Sequence, residues 1–271
     1  MSSKRTKVVT LGVMLSLFMA AIEGTVVATA MPTIVAELGG LANYSWVFSA
    51  YMLTSTTTVP LYGKLSDLYG RRPIFFIAMA LFLIGSMLSG LSANMGQLIA
   101  FRVLQGLGAG GLMPLAFIMI GDMFTFEQRA RMQGFFSGVW GVASVIGPLL
   151  GGFLVDNLSW HWVFYVNVLP GALAALLVGV AWREGVHGHP GVARPVVDYA
   201  GAVLLTAAVV ALLVGLFELG TPRGPLLLGA AAVLFVALMV VERRAADPVL
   251  PLPLFRERLF AVATAQGLLA G

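Results

Sequence analysis

The chain has 271 residues, 59% of them hydrophobic and only 10% charged, with a mean hydropathy of +0.94. A soluble domain is about 45–50% apolar and about 25% charged, so this is the composition of a polytopic membrane protein. The net charge of +4 is no nucleic-acid footprint, because the basic residues sit in short segments between apolar blocks, and the absence of cysteine excludes disulfides and thiolate metal sites.

The first apolar run, 8–31, follows Lys4, Arg5 and Lys7. It is longer than the 7–15-residue core of a signal peptide and reads as a retained first span. Further spans are predicted at 44–62, 74–92, 96–120, 132–155, 162–182, 199–217 and 225–241. A ninth begins near Leu259. From there to Gly271 the chain makes about 20 Å of helix against a hydrocarbon core of about 30 Å, so this span is expected to be truncated. In lipid the backbone must satisfy its own hydrogen bonds, which makes every span a helix. The alternation of a membrane barrel is absent.

The predicted organisation is a six-helix bundle over 1–182, a cytoplasmic loop at 183–198 and two additional helices over 199–241. A second cytoplasmic loop with the incomplete ninth helix occupies 242–271. Orientation follows from the basic residues. With the N-terminus inside, Lys4, Arg5, Lys7, Lys64, Arg71, Arg72, Arg129, Arg131 and the loop arginines after 182 are all cytoplasmic, and only Arg223 is outside. Trp46, Trp160 and Trp162 then fall at the outer interface, where amphipathic rings prefer to sit.

Two charges lie within predicted spans, Glu23 and Arg102. An ionic residue at the bilayer centre costs roughly 2.5–3.5 kcal/mol on insertion scales, so the two must pair, face water, or both. Counted from the outer ends of their spans, both lie about 9–12 Å deep. Intramembrane ionisable groups usually mark a pathway, and a purely structural pair is the alternative. GKLSDLYGRRP, residues 63–73, crowds Lys64, Asp67, Arg71 and Arg72 between Gly63, Gly70 and Pro73. It reads as a cytoplasmic hairpin in which Gly63 and Gly70 allow tight turning. Asp67 is then free to reach a basic group or a helix N-terminus of an opposing bundle. A simple topology anchor would explain the basic residues but neither the aspartate nor the glycines.

GLGAGG, residues 106–111, matches a dinucleotide fingerprint, but that motif needs a preceding strand and an exposed helix N-terminus. Inside a membrane span, small residues serve close helix packing. The same holds for Gly134/Gly138 and for the stripe Ala143, Gly147 and Gly151, while Pro148 removes a backbone hydrogen bond and invites a bend. The hydroxyls of the second span, Ser49 and Thr54 to Thr58, either line a wet cavity or bond their own helix. His187 and His189 lack zinc spacing. With no enzyme pattern in the chain, no metal, cofactor or catalytic residue is expected.

Together these stretches resemble the major facilitator superfamily, specifically its 14-span drug:proton antiporters of the EmrB/QacA type. The likeness covers the whole chain. Gly63, Leu65, Asp67, Gly70, Arg71 and Arg72 are similar to the signature loop between helices 2 and 3. Glu23-Gly24-Thr25 through Met31-Pro32 resembles a first-helix motif that commonly has aspartate at the Glu23 position. Arg102 to Gly111 with Pro114 resembles the motif whose arginine is tied to proton coupling. Gly147, Pro148, Gly151 and Gly152 resemble the antiporter motif of helix 5. Trp160-His161-Trp162 with Asn167 and Pro170 also fits.

The resemblance implies proton-coupled efflux of lipophilic, often cationic compounds across the cytoplasmic membrane by alternating access. Glu23 and Arg102 would serve protons and substrate, and Asp67 the gate. The implied partners are the lipid bilayer, the substrate, protons, and either a missing C-terminal half or a second copy. A facilitator or symporter for a polar metabolite, and a non-transporting subunit or inactive fragment, are the alternatives.

Overall fold

The computed structural model describes residues 3–183, 198–244 and the single positions 262 and 266. The chain divides into two compact units, Met1–His189 and Pro190–Gly271. The loop histidines and the ninth span predicted from Leu259 lie outside the described residues, apart from those two positions. Every regular element among the described residues is helical.

The first unit contains α1 (Ser3–Leu38), α2 (Tyr44–Tyr69), α3 (Arg71–Ser89), α4 (Met95–Met123), α5 (Phe126–Asn157), α6 (Trp162–Tyr165) and α7 (Val168–Ala181). Helix α4 is central, packed against α2 and α3 on two sides and against α1, which in turn packs on α5 and α7. The second unit is a pair, α8 (Tyr199–Phe217) against α9 (Arg223–Glu242).

Seven stretches are long and apolar enough to cross a membrane, with α6 and α7 counted as one, so the protein is multi-pass. The remaining predicted span, α2, is 26 residues long but is diluted by hydroxyls. Those hydroxyls mostly turn back on their own helix. Thr54 donates to Ala50 O and Tyr51 O, Thr57 to Leu53 O and Thr54 O, and Thr58 to Thr54 O and Ser55 O. Backbone bonding is thus realised for Ser49, Thr54, Ser55, Thr57 and Thr58.

Small residues set the helix spacing. A Cβ added at Gly108 would overlap the Phe82 backbone of α3, and one at Gly110 the Ser55 carbonyl of α2. GLGAGG is therefore wedged between two helices, as membrane packing requires. On α5, Gly147 and Gly151 press on Thr25 and Thr29 of α1, with Ala143 buried beside them. Gly134, Gly138 and Gly152 do not share in this, since each faces open space. Pro148 sits within an unbroken α5, and Pro32 within α1, which runs past the predicted end at Met31.

The predicted hairpin at 63–73 is also corrected. Helix α2 continues through Gly63 to Tyr69, and α3 begins at Arg71, so the whole turn is Gly70. Gly70 has φ 94° and ψ 156°, a conformation open essentially to glycine alone. Gly63 is an ordinary helical residue with nothing near its missing Cβ. Asp67 therefore lies in the last turn of α2 and Arg71 opens α3, just across Gly70.

Candidate functional site: a buried ionic network between two apolar clusters

The bundle interior falls into two apolar clusters. One gathers Val13, Leu17, Phe75, Phe82, Leu112 and Val178; the other gathers Ile22, Val27, Val47, Leu98, Trp160 and Phe164. Along α4 the clusters change over between Leu98 and Ala109, and between α6 and α7 they change over from Phe164 to Ala174. Polar side chains occupy this junction: Glu23 from α1, Ser86 from α3, Arg102 and Gln105 from α4, and Asn167 from the break between α6 and α7. All five are fully or almost fully buried.

Arg102 Nη1 pairs with Glu23 Oε1, as the matching depths of the two residues predict. The guanidinium does more than meet the carboxylate. Nη1 also donates to Gln105 Oε1 at 2.8 Å, Nε donates to Val47 O at 3.2 Å, and the Tyr51 ring lies 4.1 Å from Cζ. Its fork is thus divided among a carboxylate, an amide and a main-chain carbonyl. Val47 O lies in the first turn of α2, within reach of α4, and a carbonyl oxygen has two lone pairs, so it can take Arg102 Nε besides its helical partner. A buried pair of this kind is net stabilising only when further hydrogen bonds satisfy its remaining donors, and Gln105 Oε1 and Val47 O each take one from Arg102.

Asn167 completes the carboxylate. Its Nδ2 donates to Glu23 Oε2 and, at 3.1 Å, to Ser86 Oγ, which itself donates to Phe164 O at 2.8 Å. Asn167 reaches inward because the sixth span is not one helix. Pro170 has no N–H for the Val166 carbonyl, and the chain changes from α6 to α7 at residues 166–167. Neither Asn167, Ser86 nor Gln105 stands out as a site residue in the sequence. The available signal is an amide three residues before a proline inside an apolar span, where an unsatisfied polar group is expensive.

At the Gly70 end a second ionic group forms. Arg71 pairs through Nη1 with Asp67, through Nε with Asp122 at 3.1 Å, and also donates to Ser66 Oγ at 2.9 Å. Asp122 lies in the last turn of α4, an unfavourable place for an anion beside the helix dipole, and the Arg71 cation offsets this. Arg129 of α5 donates to the Gly121 and Phe124 carbonyls and caps the same helix end. Asp67 is therefore engaged within its own bundle, and Asp122 and Arg129 are partners that sequence spacing does not reveal. At the opposite end Trp160 is buried, stacked on His161 and donating to Glu37 at 2.9 Å, so its ring packs inside the bundle. Trp162 is about half exposed. Among the described residues no group of histidine or acidic side chains could hold a metal ion.

A family model described as the Major Facilitator Superfamily matches residues 13–270. Multidrug resistance protein 3 of Bacillus subtilis is 42% identical, over 98% of this chain and 52% of its own length. Multidrug transporter protein MdtP of the same organism is 43% identical, over 95% of this chain and 48% of its own. The chain thus spans about half the length of these curated relatives, the second of which is a transporter by name. The crystal structure of an auto-inhibited POT-family peptide transporter superposes with a TM-score of 0.60 at 16% identity, over 87% of this chain and 51% of that one, a likeness of fold alone. With its family match across nearly the whole length, and an all-helical bundle of the same fold, the chain belongs to the Major Facilitator Superfamily.

Proposed function

We propose that this chain carries the N-terminal bundle of a proton-coupled antiporter of the 14-span drug-efflux type, exporting lipophilic, often cationic compounds across the cytoplasmic membrane. The observation that carries the reading is the Glu23–Arg102 pair, buried at the junction of the two apolar clusters and held by Asn167, Gln105 and Val47 O. A carboxylate retained at this cost inside a span marks an ion or substrate pathway. The names of the two relatives support drug efflux as the activity.

In this reading the N-terminus and the Gly70 turn face the cytoplasm. Glu23 exchanges a proton for a cationic substrate, Arg102 steadies its ionised form, and the Asp67–Arg71–Asp122 group holds the inner end. Gly147 and Gly151 keep α5 against α1. Alternating access rocks one bundle against another. A second bundle is therefore required, from further polypeptide or from a second copy of this chain.

A chimera tests the reading: residues 1–271 replace the matching half of Multidrug resistance protein 3, and inverted vesicles are energised in the presence of a dye panel. Gradient-dependent accumulation of cationic dyes that disappears with Glu23→Gln is the expected result. Accumulation that ignores the proton gradient overturns it.

A further inference from the structure

Asn167 meets Glu23 with its amide nitrogen, while its own carbonyl oxygen is left over. Nδ2 donates to Glu23 Oε2 and to Ser86 Oγ. Oδ1, equally buried, has no hydrogen-bond partner among the described residues. A buried acceptor without a donor is costly and calls for a reason.

We propose that Asn167 is a positioning residue that follows the protonation state of Glu23, donating to the carboxylate when it is ionised and accepting from it when it is protonated. The inference rests on proton exchange at Glu23, as proposed above. A neutral amide carries a donor and an acceptor on one plane, and a half-turn about its terminal torsion exchanges them. In the arrangement seen, both carboxylate oxygens accept: Oε1 from Arg102 and Oε2 from Asn167.

When the site opens to water, a hydronium ion gives its proton to Oε2; one O–H bond forms, one breaks, and water departs. The new hydrogen then confronts the Nδ2 hydrogens. Turning the amide over brings Oδ1 opposite the acid O–H, where it accepts, and carries Nδ2 to the place Oδ1 held. Ser86 can follow. Its hydroxyl leaves Phe164 O for Oδ1, and Phe164 O still accepts the Asn167 backbone N–H at 3.4 Å. Release of the proton to water reverses each step.

Arg102 is not stranded when Glu23 becomes neutral. It keeps Gln105 Oε1 at 2.8 Å, Val47 O at 3.2 Å and the Tyr51 ring face. These are also the groups that bear on the titration. Arg102 faces Glu23 from α4 and the Tyr51 phenol lies beside the pair from α2. Helices α6 and α7 contain no charged residue, and those of α3 and α5 lie within two turns of the helix ends.

Infrared difference spectra of the 271-residue chain in lipid films, cycled in pH, test this without requiring transport. The carboxylic C=O band of Glu23 is identified by its loss in Glu23→Gln. In Asn167→Leu, similar in shape but without the amide, the band is expected to appear at higher pH than in the unaltered chain, because the ionised form has lost a donor. Ser86→Ala leaves the amide in place but frees its orientation, and a smaller move in the same direction is expected; it carries the test if Asn167→Leu fails to insert. A band that forms at the same pH in both variants overturns the role of Asn167 and leaves proton exchange at Glu23 standing. If no band is lost in Glu23→Gln, Glu23 does not titrate, and both readings fall together.

Discussion

Gly85 of α3 lies directly against Gln105 of α4, so closely that a Cβ on Gly85 would overlap the Gln105 backbone nitrogen and Cα. The contact ties helix packing to the ionic network, because Gln105 is the amide that receives Arg102.

Gly85→Ala is therefore expected to force α3 and α4 apart and to cost about 1–3 kcal/mol, the usual range for overpacking. Gly63 provides the contrast, since an alanine there meets nothing. Gly63→Ala in a helix interior is expected to stabilise the chain by about 0.5–1 kcal/mol. Thermal unfolding of the two variants in detergent, compared with the unaltered chain, checks both signs.

Truncating Arg102 leaves Glu23 as a buried charge facing only Asn167. Removing one partner of a buried pair costs about 3–5 kcal/mol. Arg102→Ala is expected to lower stability by that order, and the double variant Glu23→Gln/Arg102→Ala to recover part of the loss. Arg102→Lys keeps the charge but cannot serve Glu23, Gln105 and Val47 O from one planar group. Normal insertion with impaired proton-driven dye transport in the chimera is expected. Full activity of Arg102→Ala in the same assay would falsify the coupling role.

Arg71 bridges two acids that are about half exposed, Asp67 at 56% and Asp122 at 43%. Exposed pairs are screened, each contributing about 0–1 kcal/mol. Asp67→Asn and Asp122→Asn are each expected to leave folding intact. Both are expected to change cysteine labelling at the two ends of the cavity in the chimera, because each loosens the same junction of α2, α3 and α4. If Asp67→Asn alters labelling and Asp122→Asn does not, Asp67 acts through some partner other than Arg71.

On α5, neighbouring glycines differ in consequence. Gly151→Ala would drive a methyl group into Thr29 and the Val26 carbonyl of α1, whereas Gly152→Ala enters open space. The first is expected to lower the unfolding temperature and the second to leave it unchanged or raise it. Equal effects would show that α1 and α5 are not held by the Gly147–Gly151 stripe.

Orientation is checked by single-cysteine labelling, which is clean in a chain without cysteine. Position 68, one residue past Asp67, is expected to react only from the cytoplasmic side. Labelling by an impermeant reagent from outside would invert the proposed topology.

The sequence by itself determined where the first eight apolar helices lie and that Glu23 and Arg102 share one depth within them, where they must pair, face water, or both. Apolar run length and the cost of a charge in lipid are local or additive quantities, and they leave few alternatives. It also marked α4 as a small-residue helix, since no other use of GLGAGG survives inside a span. Only the tertiary structure decided which glycines matter. Gly63, Gly134 and Gly152 look like Gly85, Gly108 and Gly151 in one dimension, and whether a neighbouring backbone stands opposite depends on helix azimuth and crossing. The same is true of Asn167, Gln105 and Asp122. Asn167 lies 144 positions from Glu23 and Asp122 lies 51 from Arg71, and no periodicity in the chain encodes which turn of one helix meets which turn of another. Packing of α1, α3 and α4 around a break in the sixth span makes that choice, and with it the set of donors that holds the buried carboxylate.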